Sequence, residues 1–295
     1  MSFSVEIKNE VSKVSGMEEC CKRAELAGIV AFSAIIGDKL KINTESAAVA
    51  RRVSGLLKEL CGVNMSVRNK KTESGSFYSI TVENTEKILM RLGITLLPFK
   101  IHSGVVKRDC CARAFVRGAF EGGGSIVTPE KSYHIEFSTR HPKIQETIEA
   151  ILNRFDIRAK KLIRKGYYIA YLKSGEAVSD ILALMGAHKT MMKFMNIKIV
   201  KEMRNTANRL VNCETANLDK IINASQEQIR AIKLIDKKVG LGSLSPEFRT
   251  LARLRLNNPE YSLQELGNKL SPPLSKSAVN RRMQKLIQYS FANKS

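Results

Sequence analysis

The side chains best suited to chemistry lie near the C-terminus. Setting Val279 at zero and turning about 100° per residue brings Met283 and Leu286 within roughly 40° of it, on one apolar stripe. On the same wheel Ser277, Arg281, Gln284, Lys285 and Gln288 gather on the opposite side. Arginine and glutamine can hydrogen-bond guanine and adenine edges in a bidentate manner. Lys276 falls at the expected helix start, where free backbone N–H groups also favour phosphate. The chemistry this suggests is reading of duplex DNA. The expected contact set is Ser275, Lys276, Ser277, Asn280, Arg281, Arg282, Gln284, Lys285 and Gln288.

Other reactive groups are less organised. Cysteines occupy positions 20, 21, 61, 110, 111 and 213. Adjacent Cys-Cys pairs lack the CxxC spacing of a zinc site, so reduced, partly buried thiols are expected and no metal. His102, His134, His141 and His188 form no motif with acids or cysteines. Gly122-Gly123-Gly124-Ser125 resembles a phosphate loop but lacks the Lys-Ser/Thr of a P-loop and the GxGxxG spacing. No catalytic residue and no cofactor are expected.

The charge supports a polyanionic partner. Forty-nine Lys and Arg against 28 Asp and Glu give a net charge of +21 over 295 residues. Such an excess attracts nucleic acid first, with a partnerless basic surface or an anionic membrane as alternatives. Trp is absent and aromatics are few, so no stacking platform for single-stranded bases stands out. No apolar run approaches the ~18 residues of a membrane span. Met1 to Glu10 lacks the charged and apolar regions of a signal peptide. A cytoplasmic, nucleoid-associated protein without membrane contact is expected.

The C-terminal elements follow from start and stop signals. Ser245-Pro246-Glu247 opens a helix that runs to about Asn257, with Leu251 and Leu254 inward, and Asn258-Pro259 ends it. Ser262-Leu263-Gln264-Glu265 is a capping box, and Leu263, Leu266 and Leu270 line one face of the helix it opens. Ser271-Pro272-Pro273-Leu274 is a turn, after which Ser275 caps the third helix. Short helix, tight turn and polar-faced helix make the helix-turn-helix plan. From Ser262 onward Lys269, Lys276, Arg281, Arg282, Lys285 and Lys294 face only one acid, Glu265.

The rest of the chain contains a repeat. Cys20-Cys21-Lys22-Arg23-Ala24 through Gly28 returns ninety residues later as Cys110-Cys111-Ala112-Arg113-Ala114 through Gly118. Each copy continues into a strand (Lys39 to Thr44; His134 to Thr139) and an amphipathic helix (Ser46 to Leu60; Pro142 to Phe155). Two further strands follow: Val63 to Val67 with Phe77 to Val82, then Ala159 to Ile163 with Tyr167 to Leu172. A closing helix ends each copy, Thr85 to Leu92 and Glu176 to Met185. The order taken for each copy is αββαββα, one strand more than the elements just named, and it occurs twice. Ala24 and Gly28, then Ala114, Gly118 and Gly122, recur at spacing four, which puts small residues on one helix face and lets two backbones approach. The two leading helices are therefore expected to pair.

Each repeat carries a basic turn. Asn69 to Gly75 follows Arg68 and includes Lys70 and Lys71; the second copy offers Lys160, Lys161, Arg164 and Lys165. These are expected either to touch phosphates without reading sequence or to be solvated turns.

The paired-helix residues resemble the LAGLIDADG homing endonucleases. Leu26 to Ala34 lies over the first motif and Gly118 to Ile126 over the end of the second. The resemblance implies a helix pair at the domain interface, saddle-shaped sheets and an acid ending each helix that binds Mg²⁺. Those acids fall on Ser33 and Gly123. Mg²⁺ requires carboxylate oxygens, so the scaffold is expected without the cleavage. Glu121 is about 200° around the helix from Gly123 and should point elsewhere.

Nearly the whole chain is similar to the WhiA family of transcriptional regulators. The likeness includes Asn208-Arg209-Leu210-Val211-Asn212-Cys213-Glu214-Thr215-Ala216-Asn217 and the tail from Pro272 to Asn280, where Ser275 stands in place of a frequent glycine. It implies a role in sporulation, cell division and chromosome segregation in Gram-positive bacteria.

An α+β plan results. Residues 1–190 form a duplicated LAGLIDADG homing endonuclease-like domain of two αββαββα repeats, about 17–98 and 107–190. Residues 191–224 form a helical connector and contain the hinge. Residues 225–295 form an all-α helix-turn-helix domain, its motif at about 262–295. The expected function is sequence-specific regulation on double-stranded DNA, with RNA polymerase or another regulator as a candidate protein partner. The alternatives are an active Mg²⁺-dependent homing-type endonuclease and an RNA-binding protein.

Overall fold

A computed structural model describes residues 2–72 and 75–292. Glu73 and Ser74 of the first basic turn, and Lys294, lie outside the described residues. The chain divides into two compact units, Met1–Glu202 and Met203–Ser295.

The first unit opens with α1 (Phe3–Val11). The first repeat follows as α2 (Glu19–Ser33), β1 (Ala34–Ile35), β2 (Leu40–Thr44), α3 (Ala47–Cys61), β3 (Met65–Thr72), β4 (Gly75–Val82) and α4 (Thr85–Leu92). A small hairpin, β5 (Ile94–Leu96) and β6 (Phe99–Ile101), leads on. The second repeat is α5 (Asp109–Gly123), β7 (Gly124–Ile126), β8 (Ile135–Thr139), α6 (Pro142–Arg154), β9 (Lys160–Arg164), β10 (Tyr167–Leu172) and α7 (Gly175–Met185). The repeats form antiparallel sheets of matching order, β1-β2-β4-β3 and β7-β8-β10-β9.

Strand periodicity decides which sheet face is buried. Leu40 and Ile42 of β2 and Ile80 and Val82 of β4 point to one side, as do Ile135 and Phe137 of β8 and Ala170 and Leu172 of β10. All of them join one hydrophobic core with the helices. Helix ends follow local chemistry: the Ser46 and Ser174 hydroxyls accept from the Val49 and Ala177 N–H groups.

The two leading helices pack together along their small residues. A Cβ added to Gly28 would overlap the Phe115 carbonyl oxygen, and one on Gly122 would sit 2.8 Å from the Ile29 carbonyl oxygen. Gly118 faces Glu25, Gly122 faces Ile29 and Gly123 faces Phe32, so the contacts advance together and the helices run parallel.

Helix α1 is fastened by distant residues. The Ser4 hydroxyl donates to the Ile126 carbonyl and accepts from the Ile126 N–H, at 3.2 and 2.8 Å. The Glu10 carboxylate accepts the backbone N–H groups of Lys189 and Thr190, at 2.7 and 2.9 Å. Those groups open α8 (His188–Val239) and have no partner within the helix, so Glu10 serves as their cap.

One expectation needs correction. The first basic turn is shorter than its composition suggests, because β3 continues to Thr72 and pairs Asn69 with Tyr78, Lys70 with Phe77 and Lys71 with Ser76. A ladder of backbone hydrogen bonds needs no apolar side chain on both strands, so Asn and Lys extend it. In the second repeat the turn narrows to Lys165-Gly166, whose φ values of 52° and 78° give the mirror-image turn that suits the twist of a hairpin. Residues 191–224 lie within α8 and are helical throughout, and the two compact units divide among them, after Glu202.

In the second unit the last part of α8 contributes Ile232 and Ile235 to a core completed by α9 (Pro246–Asn257), α10 (Leu263–Asn268) and α11 (Lys276–Ala292). Gly240, at φ 74°, follows the end of α8.

Candidate nucleic-acid interface

The helix-turn-helix motif is built around one close approach. The capping box at Ser262 and Glu265 is formed: the Ser262 hydroxyl accepts from the Glu265 N–H, and the Glu265 carboxylate accepts from the Ser262 N–H. Gly267, two residues on, lets the turn fold back onto α10. The Leu274 N–H donates to the Gly267 carbonyl at 3.0 Å, and a Cβ on Gly267 would overlap the Leu274 carbonyl oxygen. The Ser275 hydroxyl accepts from the Ala278 N–H at 3.3 Å and caps α11.

Burial sorts α11 as the periodicity predicts. Val279, Met283 and Leu286 are buried. Ser275, Lys276, Ser277, Asn280, Arg281, Gln284, Lys285 and Gln288 are exposed. Arg282 differs: it is half-buried, and its guanidinium lies 2.7 Å from the Glu247 carboxylate of α9. Its charge is spent on holding α9 to α11 rather than displayed with the others.

A buried arginine escaped the sequence reading. Arg255 is 2% exposed, and its Nη1 donates to the Tyr261 carbonyl at 2.5 Å, with the Asn258 and Pro259 carbonyls at 3.4 Å. It gathers the loop between α9 and α10. Burial lowers its pKa. Helical spacing beside Leu251 was the available signal, since Arg255 lies one turn on.

Strand register divides the basic hairpin residues. Arg68 and Lys70 share the open face of the first sheet, and Lys160 and Arg164 that of the second. Lys71 and Lys161 alternate to the opposite face. Lys161 lies 2.8 Å from Glu149 and Arg164 lies 3.0 Å from Glu136. Lys165 is exposed in its turn. The structure thus separates seven residues that composition groups together.

At the C-terminal ends of the paired helices, metal-binding acids are absent. Ser33 ends α2 and its hydroxyl donates back to the Ile29 carbonyl at 2.6 Å. Gly123 ends α5, and a Cβ there would overlap the Ser138 carbonyl oxygen and sit 3.1 Å from the Phe32 Cβ. Gly122-Gly123-Gly124 is packed helix end and strand start, not a phosphate cradle. Glu121 turns inward, 1% exposed, and accepts from the Ser12 hydroxyl at 2.7 Å. Burial, reinforced by the neighbouring Glu25, pushes its pKa up to about 8. Glu25 is fully buried, accepts from Arg52 Nε at 2.5 Å and Nη2 at 3.2 Å, and has Arg117 Nε at 3.6 Å, an ion pair without a hydrogen bond. These buried charges were not foreseen; they hold α2, α3 and α5 together internally.

The cysteines are more organised than their sequence spacing implies. The Sγ atoms of Cys20, Cys21, Cys110 and Cys111 all lie within 4.8 Å of one another. The first pair is in the opening turn of α2 and the second in that of α5. Burial raises the pKa of Cys21 and raises that of Cys111 to about 11, whereas a hydrogen bond with Cys21 lowers that of Cys110. Spacing within either pair shows none of this; combining the repeat with parallel helix pairing would have.

The chain matches three family descriptions in order: "WhiA N-terminal LAGLIDADG-like domain" over residues 19–95, "WhiA LAGLIDADG-like domain" over 112–204 and "WhiA C-terminal HTH domain" over 207–290. It is 38% identical over 307 residues to a probable cell division protein WhiA of Alkaliphilus metalliredigens, covering 98% of this chain and 97% of that one. It is 40% identical over 304 residues to the Clostridium botulinum protein of the same name, covering 97% and 96%. Among solved structures, the full-length WhiA protein of Thermotoga maritima matches with a TM-score of 0.63 and 26% identity over 99% of both chains.

Proposed function

From the premise that this chain belongs to the WhiA family, with two LAGLIDADG-like repeats and a helix-turn-helix domain, we propose that it is a transcriptional regulator binding double-stranded DNA at specific sequences. The observation that carries this is the exposed face of α11. Arg281, Gln284, Lys285 and Gln288 stand on it together, opposite buried Val279, Met283 and Leu286. A helix of this kind fits the major groove of B-DNA, whereas the deep, narrow groove of A-form RNA excludes it.

Within this reading Ser275, Lys276 and Ser277 approach phosphate at the helix N-terminus. Asn280, Arg281, Gln284, Lys285 and Gln288 face bases and backbone. Arg282 positions the helix through Glu247. Arg68, Lys70, Lys160 and Lys165 add phosphate contacts that carry no sequence information. The protein acts at the nucleoid in the cytoplasm, and relatives named probable cell division protein support a role in the control of cell division. No helix among the described residues is long and apolar enough to cross a membrane. We assign no nuclease activity: Ser33 offers only a hydroxyl already donated to its own helix, and Gly123 has no room for a carboxylate.

The test is capture of fragmented bacterial genomic DNA on the protein, with Mg²⁺, at about 50 and 200 mM salt. Several phosphate contacts should cost orders of magnitude in affinity across that range. Retention of a few promoter sequences at the higher salt, with uncut ends, supports the proposal. New DNA ends at fixed positions, or equal competition by duplex RNA, overturns it.

A further inference from the structure

We propose that Cys20, Cys21, Cys110 and Cys111 bind one zinc ion as a tetrathiolate, joining the N-terminal ends of α2 and α5. The four Sγ atoms lie within 4.8 Å of one another, and Cys110 and Cys111 are 3.9 Å apart. Four sulfurs held tetrahedrally at ~2.3 Å from zinc stand about 3.8 Å from each other. The cluster therefore needs only small rotamer adjustments to close on an ion.

The donor set selects the metal. Four thiolates with no carboxylate or imidazole among them suit a soft or borderline ion and exclude Mg²⁺ and Ca²⁺. Burial disfavours thiolate at Cys21 and Cys111 without a metal, and zinc itself draws the proton off a thiol that coordinates it. Each pair occupies the first turn of its helix, at the positive end of the helix dipole, which favours a bound thiolate. Arg108 Nη1 lies 3.5 Å from the Cys20 sulfur and offsets part of the negative charge of the loaded site. Cys21 and Cys111 are buried while Cys110 is exposed, so the site has both a dry interior and a way in.

Placement gives the ion a role. Each repeat contributes one vicinal pair, so neither repeat could bind zinc with four sulfurs alone. The ion would cross-link two segments ninety residues apart in sequence. It would do so at the end of the helix pair opposite to Ser33 and Gly123. Because the glycine stripe already packs α2 on α5, the protein stays folded without the ion and is tightened by it.

The experiment uses the full-length chain, purified under reducing conditions and equilibrated with zinc. Elemental analysis should find about one zinc per chain. Cobalt exchanged into the same protein should show strong tetrahedral d–d bands and sulfur-to-cobalt charge transfer. Chelation should lower the melting temperature by about 5 °C or more without unfolding the protein at room temperature. Cys110→Ser should weaken binding more than about tenfold and shift the cobalt spectrum toward three-sulfur coordination, while Cys213→Ser, on α8, changes neither. The cobalt spectrum is read on the unsubstituted protein, so a variant that fails to fold does not block the test. The proposal fails if the zinc-equilibrated protein holds less than about 0.1 equivalent with four thiols free to titrate. It fails equally if the four cysteines are paired as disulfides, or if cobalt gives only a weak octahedral spectrum.

Discussion

Gly118 rests against the carbonyl oxygen of Glu25 so closely that a Cβ on Gly118 would overlap that oxygen. The obstacle is helix backbone, which cannot rotate aside as a side chain can. Gly118→Ala should therefore part α2 from α5 and cost about 3 kcal/mol or more, measured by denaturant unfolding. Gly55→Ala, on α3 with open space at its Cβ, should be neutral or slightly stabilising in the same assay.

The contact between Gly267 and Leu274 makes the same argument for the second unit. Gly267→Ala should force the turn off α10 and misplace α11. DNA binding at the selected sequences should fall at least about tenfold. Circular dichroism of the variant should keep the signal of the first unit. Unchanged affinity would mean that α11 is not the reading element.

Arg281→Ala and Gln284→Ala should each cost about 1–3 kcal/mol of binding and relax the preference at one base position. Lys70→Ala should instead weaken binding to all sequences evenly and reduce the salt slope by about one. Sequencing of DNA selected by each variant separates the two behaviours.

Supplying the missing acids should not create a nuclease. Gly123→Asp places its Cβ against the Ser138 carbonyl and the Phe32 side chain, so the carboxylate cannot reach the helix end without displacing β8. The Ser33→Asp, Gly123→Asp double variant should lose about 2 kcal/mol or more of stability and leave plasmid DNA intact with Mg²⁺. Cleaved plasmid would show that the scaffold retains a working geometry.

Glu121 should make stability fall with rising pH. Its carboxyl ionises near 4.5 when exposed and near 8 in the folded protein, because of burial and then of Glu25. The unfolded chain therefore releases this proton first. The contribution of the group is complete below pH 4.5, declines between 4.5 and 8, and is flat above. Glu121→Gln keeps a partner for Ser12 and removes the proton, so its unfolding free energy should vary less across that window. A titration of denaturant midpoints from pH 5 to 8.5 would show it.

Much of this was legible in the residues themselves. Apart from the short β1 and β7, the elements of each repeat are written in strand alternation and helical spacing, and the glycines at positions 28, 118 and 122 announce a close helix pair. Ser262 and Glu265 mark a helix start with local chemistry alone. What stayed hidden depended on tertiary placement. Nothing near Arg255 in sequence reveals that three loop carbonyls surround it. Glu25 carries no signal in the sequence and Glu121 only that it points away from Gly123, because their partners Arg52 and Ser12 arrive from other elements. Arg282 counted as a free cation because Glu247 lies on a different helix. The hairpin residues Lys70 and Lys71 read as a turn because their types favour one, while their strand is set by Phe77 and Ser76 across the ladder.

The fastening of α1 bears on how the chain is made. Ser4 waits for Ile126, and Glu10 waits for the start of α8 at Lys189 and Thr190. At ~5–20 residues per second a ribosome delivers those partners many seconds after α1 has emerged. During that interval Phe3, Ile7 and Val11 have only the first repeat to pack on, and the glycine stripe of α2 lacks α5. Helix α1 is made well before the residues that secure it, which leaves the nascent chain dependent on whatever shields apolar surface beside the exit tunnel.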